Sequence, residues 1–269
     1  MSEKISVALI GASGYGGAEL ARLLANHSKA ELKIATASGE RAGAKLSDLF
    51  PSLRGVCDIV CQELNLDQIA ECDFAFIALG HGKAMDIAPQ LLKRGLKVCD
   101  FGGDFRLRDF ATYEKWYKTP HTARELLDEA VYGLPEWNRE KIKTAKLIAN
   151  PGCYPTSAIL PLAPLVEANV IDEKSIIVDS ASGTSGAGRA SFGLGLHHAE
   201  VSEDFKAYKI ASHQHTPEIE QALGDACGRE VVLTFTAHLL PIARGILTTS
   251  YATLRGNQTT ESLHQIIAE

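Results

Sequence analysis

The stretch ISVALIGASGYGGAELARLLANH, residues 5–27, decides the fold of the first half of this chain. A short apolar run leads directly into GASGYGG (11–17), and a helical pattern follows. A strand, a glycine-rich turn and a helix in this order let the backbone approach a pyrophosphate at a helix N-terminus. We therefore expect a dinucleotide site, the alternative being a tight turn without a ligand. The expected cofactor-binding residues of the turn are Gly11, Ser13, Gly14, Tyr15, Gly16 and Gly17.

The rest of the first half alternates between apolar runs and helical patterns. Further strands are predicted at LKIATAS (32–38), FAFIALG (74–80) and LKVCDFGG (96–103), and a helix at AMDIAPQLLKRG (84–95). Strands buried on both faces that alternate with helices and end in glycine turns indicate a doubly wound parallel sheet. We expect residues 1–149 to form a Rossmann-like NADP-binding domain.

After about Asn150 the pattern changes to longer, β-branched runs. SIIVDSASG, VVLTFTAHLLPI and GILTTSYATL fit a mostly antiparallel sheet, with helices at about 155–168 and 217–226 packed against it. We therefore predict an α/β chain in which a Rossmann-like, doubly wound parallel sheet is followed by an α+β domain. That second domain covers residues 150–269, and the family resemblance of its motifs, given below, implies that it carries catalysis and dimerisation.

Composition and charge limit the possible functions. The 269 residues carry a formal net charge of -6, which gives no overall basic field for nucleic acid. No apolar run approaches the length of a membrane span, and Met1 leads straight into a strand pattern, so we expect no anchor or targeting segment. Six cysteines without a secretory signal favour free thiols in the cytoplasm. Cys57 and Cys61 lack a matching second pair, so we predict no metal site.

The end of the second predicted strand discriminates between dinucleotides. An NAD enzyme usually carries an acidic residue there for the ribose hydroxyls. Here the segment is ATASGERAGAK, with Thr36, Ser38 and Arg41 in the corresponding place. Hydroxyls and a guanidinium suit a 2′-phosphate, because arginine donates two charge-assisted bonds to it. We expect NADP; the alternative is that Arg41 and Lys45 are solvated loop charges.

NPGCYPT (150–156) sets one cysteine in a stiff frame. Pro155 can occupy the first turn of a helix, which would place Cys153 just ahead of the helix N-terminus. There the helix dipole favours a thiolate, and N–H groups can stabilise an oxyanion. Cys153 is therefore the candidate nucleophile, although composition alone would favour a buried structural cysteine.

A nucleophilic thiol needs a base, and SHQHTPEIEQAL (212–223) offers candidates. Thr216 can cap a helix, which would leave His213 and His215 on the loop just before it. Glu218, in the first turn, would orient a histidine or bind a substrate amide. Two histidines one residue apart also suit a metal, but no third ligand stands out.

Two further loops carry candidate binding residues. SGTSGAGR (182–189) follows a strand and suits nicotinamide or phosphate contact, unless it is only a flexible turn. GGDFRLRD (102–109) places Arg106 and Arg108 beyond a strand's carboxyl end, where they would receive a substrate phosphate or form surface salt bridges. The adjacent histidines at 197–198 are interpreted as structural.

Together these motifs resemble the N-acetyl-γ-glutamyl-phosphate reductases of arginine biosynthesis, relatives of aspartate-semialdehyde dehydrogenase. GASGYGG, HG (81–82), DFRLRD, NPGCYPT, SGTSGAGR, HTPEI and RGILTT (244–249) occur in the family's order across nearly the whole chain. The resemblance implies that Cys153 is the nucleophile, that His215 is the general base, and that NADPH binds at the glycine-rich turn. The implied substrate-binding residues are Arg106, which would hold phosphate, Ser182, His213 and Glu218. The further implied cofactor contacts are His81, Gly186 and Gly188, with the run up to Arg189 near the cofactor.

Three features depart from the family. Ala181 stands where a lysine is expected before the SGTSGAGR run. Gly102 and Gly103 replace bulkier residues. The chain also stops at Glu269, before family members do, so we expect that further sheet and a helix returning to the cofactor domain are missing.

The implied reaction is NADPH-dependent reductive dephosphorylation of N-acetyl-L-glutamyl 5-phosphate to the 5-semialdehyde through a cysteine thioester. Alternatives with similar chemistry are the aminoadipyl-phosphate reductase of lysine biosynthesis and aspartate-semialdehyde dehydrogenase. Different classes are a Cys/His acyltransferase or hydrolase and a non-catalytic NADP-sensing protein. The expected partners are a small acyl phosphate and further copies of the chain, as a homodimer or homotetramer, and neither nucleic acid nor membrane.

Overall fold

The structure, a computed structural model, describes residues 4–191 and 193–268. The side chain of His198, which the sequence predicted to be structural, lies outside this description. The chain forms two compact units. Unit 1 consists of the chain up to Glu114, Lys118–Asn150 and Gly188–Ala190. Unit 2 consists of Lys115–Tyr117, Pro151–Ala187 and the chain from Ser191 onward.

Unit 1 is built on a six-stranded sheet in which every described junction is parallel. Its strands are β1 (Ile5–Ile10), β2 (Ala30–Thr36), β3 (Phe74–Ile77), β4 (Lys97–Asp100), β5 (Val131–Tyr132) and β6 (Leu147–Ala149). Its helices are α1 (Tyr15–Ala25), α2 (Leu46–Leu49), α3 (Leu66–Ile69), α4 (Ala84–Lys93) and α6 (Pro135–Thr144), together with residues 110–114 of α5 (Phe110–Tyr117). The spatial order β2-β1-β3-β4-β6-β5 confirms the predicted doubly wound α/β fold.

The strand order places a ligand crevice beside β1. The chain passes from β1 to β2 on one side, and β3 then pairs with the other side of β1. In open α/β sheets such a switch point leaves a crevice outside the carboxyl ends of the strands. Because β1 is flanked on both sides, all of its residues after Ile5 are buried, which explains the continuous apolar run in the sequence.

Unit 2 contains a four-stranded sheet with the spatial order β10-β7-β9-β8. Its strands are β7 (Ile177–Ser182), β8 (Lys206–Tyr208), β9 (Thr234–Leu239) and β10 (Ile246–Tyr251). Its helices are α7 (Cys153–Glu167), α8 (His198–Val201), α9 (Thr216–Cys227) and α10 (Thr260–Ala268). The outer junctions are antiparallel, as predicted, but the central β7–β9 junction is parallel. The sheet is therefore mixed.

One face of this sheet carries α7, and α7 packs against α9 and β10. Hydroxyl groups join the layers: Ser157 on α7 bonds Thr248 at 2.7 Å, and Thr248 bonds Ser180 on β7 at 2.8 Å. Because side chains alternate along a strand, the neighbours of Thr248 on β10 point to the opposite face. On that face Leu247 is 70% and Tyr251 58% exposed.

The helix α7 is longer at its start than the sequence predicted. It begins at Cys153, so Cys153 is its first helical residue rather than the residue ahead of it. The helix continues through Pro161 and Pro164 to Glu167, and its apolar face, which includes Ile159, is buried. No helix in the ranges that the structure describes is long and apolar enough to cross a membrane.

The six cysteines are free thiols. Cys72 and Cys99 are buried in or beside strands of unit 1. Burial raises the pKa of Cys99 to about 12, and the neighbouring Asp100 adds to the effect. Cys153 differs from these residues because it is exposed.

Candidate active site

A cavity of about 540 Å³ lies at the carboxyl ends of β1, β2 and β3 in unit 1. This volume is typical of a small-molecule or cofactor site. Its wall includes the strand-end residues Ile10 and Thr36 and the run 78–80 that follows β3. The predicted cofactor-binding residues that line it are Gly11, Ser13, Gly14, Ser38 and Arg41.

Gly11 shows why the turn after β1 requires glycine. Its φ is +90°, a conformation that side chains rarely adopt. A Cβ there would lie 2.5 Å from the carbonyl oxygen of Ala78. The turn is closed by the Gly14 N–H, which donates to the Gly11 carbonyl at 3.3 Å, and α1 begins directly afterwards at Tyr15. The backbone can therefore approach an anion in front of this helix.

The residues around the cavity fit NADP(H). Gly11 and Gly14 leave the backbone bare at the end of β1, and Ser38 and Arg41 follow β2. Arginine and hydroxyl groups at this point match a 2′-phosphate. Glu63 also lines the cavity, although no sequence motif indicated it.

Arg189 is a second cation on the cavity wall. It belongs to the short segment 188–190 that clusters with unit 1. Its guanidinium donates to the Ser13 carbonyl at 3.3 Å and lies 4.3 Å over the ring of Phe50. The arginine is therefore held against the glycine-rich turn, close to where the phosphates of a dinucleotide would lie.

The other predicted cofactor residues do not line the cavity. Tyr15 and Gly16 are exposed, and Gly17 is buried, in the first turn of α1. The Nδ1 of His81 accepts the Gly103 N–H at 2.8 Å, which ties the loop after β3 to the turn after β4. Gly186 lies in a 3₁₀ turn of unit 2, and Gly188 has a φ of +86° in unit 1. Cofactor contact by these residues stays a prediction.

Arg106 lies inside unit 1 with 5% of its surface exposed. Its Nε donates to the Asn150 carbonyl at 2.8 Å, and Nη2 donates to the Phe101 carbonyl at 2.8 Å. The guanidinium therefore joins the chain after β4 to the chain after β6. Binding of a substrate phosphate by Arg106 stays a prediction, and Arg108 is exposed.

Two buried carboxylates flank the same turn. Asp104 accepts the Gly82 N–H at 2.7 Å and the Ala84 N–H at 2.9 Å, so it caps the start of α4. Asp100 accepts the Gly102 N–H at 2.8 Å, while its Oδ2 is buried without a hydrogen-bond partner among the described residues. Burial, followed by repulsion from Asp104, raises the pKa of Asp100 to about 7.

In unit 2 the loop before Cys153 lies against His215. His215 precedes α9 as its N-cap and is buried, whereas the sequence pattern predicted Thr216 as the cap. Thr216 is instead the first residue of the helix. The Nε2 of His215 lies 2.6 Å from the point that a Cβ on Gly152 would occupy. A side chain at position 152 would overlap this ring and the ring of Pro155, so the position requires glycine.

Glu218 has no exposed surface and contacts the same glycine. Its Oε1 accepts the Gly152 N–H at 2.8 Å. Its place in the HTPEI motif predicted that this residue contacts substrate or orients a histidine. Its carboxylate lies on the backbone of the cysteine loop, and its contact with substrate or with a histidine stays a prediction.

His213 is buried in an aromatic cluster of unit 2. Its ring centroid lies 4.8 Å from that of His215, 5.4 Å from Tyr154 and 5.7 Å from Tyr208. Its Nδ1 accepts the backbone N–H of His215 at 3.2 Å. Burial, with a smaller contribution from Lys209, lowers the pKa of His213 to about 4, so its imidazole is neutral at pH 7. Its predicted contact with substrate stays a prediction.

Comparison with known proteins shows the family to which this chain belongs. Residues 6–145 match the semialdehyde dehydrogenase NAD-binding domain, and residues 153–269 match the semialdehyde dehydrogenase dimerisation domain. The chain belongs to the semialdehyde dehydrogenase family. The two matched regions meet between residues 145 and 153, close to the junction of the two units.

Curated relatives narrow the family assignment. The N-acetyl-gamma-glutamyl-phosphate reductase of Pelotomaculum thermopropionicum is 54% identical over 97% of this chain and 75% of its own length. The same enzyme of Symbiobacterium thermophilum is 50% identical over 98% of this chain and 76% of its own length. The chain therefore stands among the N-acetyl-γ-glutamyl-phosphate reductases of the semialdehyde dehydrogenase family, as the sequence motifs indicated.

Solved structures share the fold at low identity. Aspartate semialdehyde dehydrogenase from Candida albicans, solved with NADP, is 19% identical with a TM-score of 0.68, covering 98% of this chain and 76% of its own. Aspartate semialdehyde dehydrogenase II from Vibrio cholerae is 15% identical with a TM-score of 0.73, covering 98% and 78%. These similarities confirm the semialdehyde dehydrogenase fold.

Ala181 and Ser182 are the last two residues of β7. The Ser182 hydroxyl donates to the Gly183 carbonyl at 3.1 Å, and the side chain is buried. Ala181, where the family pattern suggested a lysine, pairs with Leu247 of β10 and points to the exposed face. A cation at this position would therefore lie on the open face of the sheet, away from α7. Substrate contact by Ser182 stays a prediction.

Proposed function

We propose that this chain catalyses the NADPH-dependent reductive dephosphorylation of N-acetyl-L-glutamyl 5-phosphate to N-acetyl-L-glutamate 5-semialdehyde. The observation that carries the chemistry is the position of His215 Nε2 against Gly152, the residue before the exposed Cys153. The substrate assignment is supported by two reductases named for N-acetyl-gamma-glutamyl phosphate, which are 54% and 50% identical to this chain over 97% and 98% of its length.

Cys153 is the proposed nucleophile. It begins α7, a helix of 15 residues, and the positive end of the helix dipole favours a thiolate there. His215 accepts the thiol proton. The thiolate attacks the acyl carbon, a C–S bond forms, the C–O bond to phosphate breaks, and phosphate leaves with that electron pair. The product of this step is a thioester, which is easier to reduce than a carboxylate.

His215 also serves the second half of the reaction. NADPH, when bound, supplies the hydride that reduces the thioester carbon. The C–S bond then breaks as the aldehyde carbonyl forms, and the proton on His215 returns to the departing sulfur. His213 stays neutral beside His215 and accepts its backbone N–H, so it orients the loop without competing for the proton.

The cofactor site is proposed in unit 1. Gly11, Ser13 and Gly14 would approach the pyrophosphate, while Ser38 and Arg41 would hold the 2′-phosphate. Arg189, fixed on the Ser13 carbonyl, would add a second cation. A 2′-phosphate bound by a guanidinium gains charge-assisted bonds that NADH cannot form, so this site favours NADP(H).

Further copies of the chain are the proposed protein partners, as a homodimer or homotetramer. The open face of the unit 2 sheet supports this proposal, because Leu247, Tyr251 and Ile177 expose apolar surface there. Light scattering of the wild type and of Leu247→Glu tests it, with the equally exposed Leu194→Glu as control. A monomeric wild type would contradict it. Six free thiols support a reducing cytoplasm as the compartment.

The substrate assignment is tested by the reverse reaction. The protein is supplied with NADP, phosphate and either N-acetylglutamate semialdehyde or aspartate semialdehyde, and NADPH formation is followed. We expect NADPH with the acetylated substrate and little with the other. Activity with aspartate semialdehyde alone would contradict the assignment and leave the chemistry intact.

A further inference from the structure

A buried carboxylate, that of Glu218, holds the loop that leads into Cys153. Glu218 lies in the first turn of α9, and none of its surface is exposed. Its Oε1 accepts the N–H of Gly152, 66 residues earlier in the chain, at 2.8 Å. A carboxylate that accepts a backbone N–H makes a charge-assisted bond, roughly twice as strong as a neutral one.

Gly152 is fixed on its other sides as well. Its carbonyl accepts both the backbone N–H and the hydroxyl of Thr156, each at 2.9 Å. The place of its absent Cβ is bounded by His215 Nε2 at 2.6 Å and by Pro155 Cδ at 2.9 Å. The N–H, the α-carbon and the carbonyl of Gly152 therefore each have a fixed neighbour.

Glu218 and His215 reach the same glycine from one helix start. His215 is the N-cap of α9, and its carbonyl accepts the Ile219 N–H at 3.0 Å, so both residues are anchored in the first turn of the same helix. Glu218 holds the backbone of Gly152, and His215 lies against its α-carbon. The next residue is Cys153. The hydrogen bond thus sets the distance between the nucleophile's loop and the base.

We propose that Glu218 is a positioning residue that holds the Gly152 peptide and thereby aims the Cys153 thiol at His215. The inference rests on the proposed roles of Cys153 and His215. It differs from substrate binding by Glu218, because a carboxylate without exposed surface acts through the loop it holds. The bond needs an acceptor oxygen, which an amide also provides.

The test compares Glu218→Ala, which removes the acceptor, with Glu218→Gln, which keeps one. Two readouts are taken: steady-state reduction, and the rate of Cys153 alkylation by iodoacetamide against pH, which needs no substrate. We expect Glu218→Ala to lower kcat on the order of 100-fold, as misplaced reacting groups do, with KM and the NADPH Kd little changed. Its alkylation midpoint should rise toward about 8.5, the value of an ordinary thiol. Glu218→Gln should resemble the wild type.

Glu220→Ala is the matched control. Glu220 lies on the same helix, and its carboxylate also accepts a backbone N–H, that of Leu233 at 3.2 Å, without contacting Gly152. Wild-type alkylation in Glu218→Ala would overturn the proposal, and so would an increase in KM alone, which would indicate substrate contact. A Glu218→Gln variant as impaired as Glu218→Ala would also overturn it.

Two further outcomes are separated by the design. If Glu218→Ala does not fold, Glu218→Asp replaces it, because its carboxylate is one methylene short of Gly152 and the same changes are expected. If the wild type lacks reductase activity, the proposed function fails. The alkylation profiles still decide whether Glu218 sets the reactivity of Cys153.

Discussion

The imidazole of His215 occupies the space that a side chain on Gly152 would need, with Nε2 2.6 Å from the place of the missing Cβ. The glycine that precedes Cys153 therefore contacts a residue that lies more than sixty positions later in the chain. Gly152 lets the ring approach the backbone, and Pro155 Cδ lies 2.9 Å from the same missing Cβ. The relationship explains why the cysteine is preceded by glycine and followed within two residues by proline.

Gly152→Ala should separate the base from the nucleophile. The new methyl group would overlap His215 and Pro155, so the ring or the loop must shift. We expect kcat to fall on the order of 100-fold and stability to fall by about 1–3 kcal/mol, as in overpacked sites. Single-turnover reduction and urea unfolding measure the two effects.

Gly195→Ala provides the control for this change. Gly195 is also in unit 2, and a Cβ there would meet nothing within 4 Å. It should leave kcat and stability near the wild type. Equal activity of Gly152→Ala and Gly195→Ala would show that the approach of His215 to Gly152 does not matter for turnover.

The fold of unit 1 could be predicted because its information is local. The four predicted strands are apolar runs that end in glycine or polar residues, and helical patterns follow the first and third of them. The strands β5 and β6, which were not predicted, are only two and three residues long and carry no such pattern. The parallel β7–β9 pair of unit 2 could not be predicted in this way. Its direction depends on the long connection through α8, β8 and α9, since parallel neighbours need a crossover, and strand patterns alone do not show which strands pair.

Arg41→Ala should weaken NADPH binding selectively. Loss of a charge-assisted bond to the 2′-phosphate costs about 1.5–3 kcal/mol, which corresponds to a Kd roughly 10–100-fold higher. NADH binding should be unchanged, because NADH lacks that phosphate. Fluorescence titration with both nucleotides checks this result, with the exposed Lys45→Ala as control. An equal loss of affinity for NADH and NADPH would show that Arg41 does not bind the 2′-phosphate.

Asp100→Asn should stabilise the protein more at pH 8 than at pH 5. The pKa of Asp100 is raised to about 7 by burial and by Asp104, above the ordinary value of 3.8. The folded protein therefore binds the proton more tightly than the unfolded chain, and this contribution to stability is lost as pH rises through about 7. An asparagine keeps an oxygen for the Gly102 N–H and carries no charge. The expected gain in urea unfolding at pH 8 is roughly 2–4 kcal/mol.

At pH 5 Asp100 is already protonated, so the same variant should differ little from the wild type. A gain of equal size at both pH values would show that packing, and not ionisation, limits stability at this site. The Asp100→Asn variant reports on unit 1 alone, because the described neighbours of Asp100 all belong to that unit. They are Asp104, Arg106 and Gly102.

His213 should give the opposite pH dependence. Its pKa is lowered by burial to about 4, below the ordinary value of 6.5. The unfolded chain therefore binds a proton between these values and the folded protein does not, so stability is lost as pH falls from about 6.5 to 4. His213→Asn keeps an acceptor near the His215 N–H and should flatten this part of the stability profile. An unchanged slope in urea unfolding from pH 6.5 to 4.5 would contradict the neutral, buried state of His213.

Site residues that lie within a sequence motif could be predicted, whereas contacts between segments distant in the sequence could not. Cys153 and His215 lie in motifs whose residue types already indicate a nucleophile and a base. Glu63 reaches the cofactor cavity only because residue 62 pairs with the end of β2, a contact between loops that no local pattern shows. The two carbonyls bound by Arg106 are likewise set by the meeting of β4 and β6.

The central claim, that Cys153 carries the acyl group, is tested most directly by stalling the reverse reaction. The protein is mixed with N-acetylglutamate semialdehyde and NADP without phosphate. The thiol adds to the aldehyde, hydride leaves to NADP, and the thioester accumulates because no phosphate is present to release it. We predict a burst of about one NADPH per active site and an N-acetylglutamyl adduct on the Cys153 peptide by mass spectrometry, both absent in Cys153→Ser. Reduction at near wild-type rates by folded Cys153→Ser, or an adduct on another residue, would contradict the account.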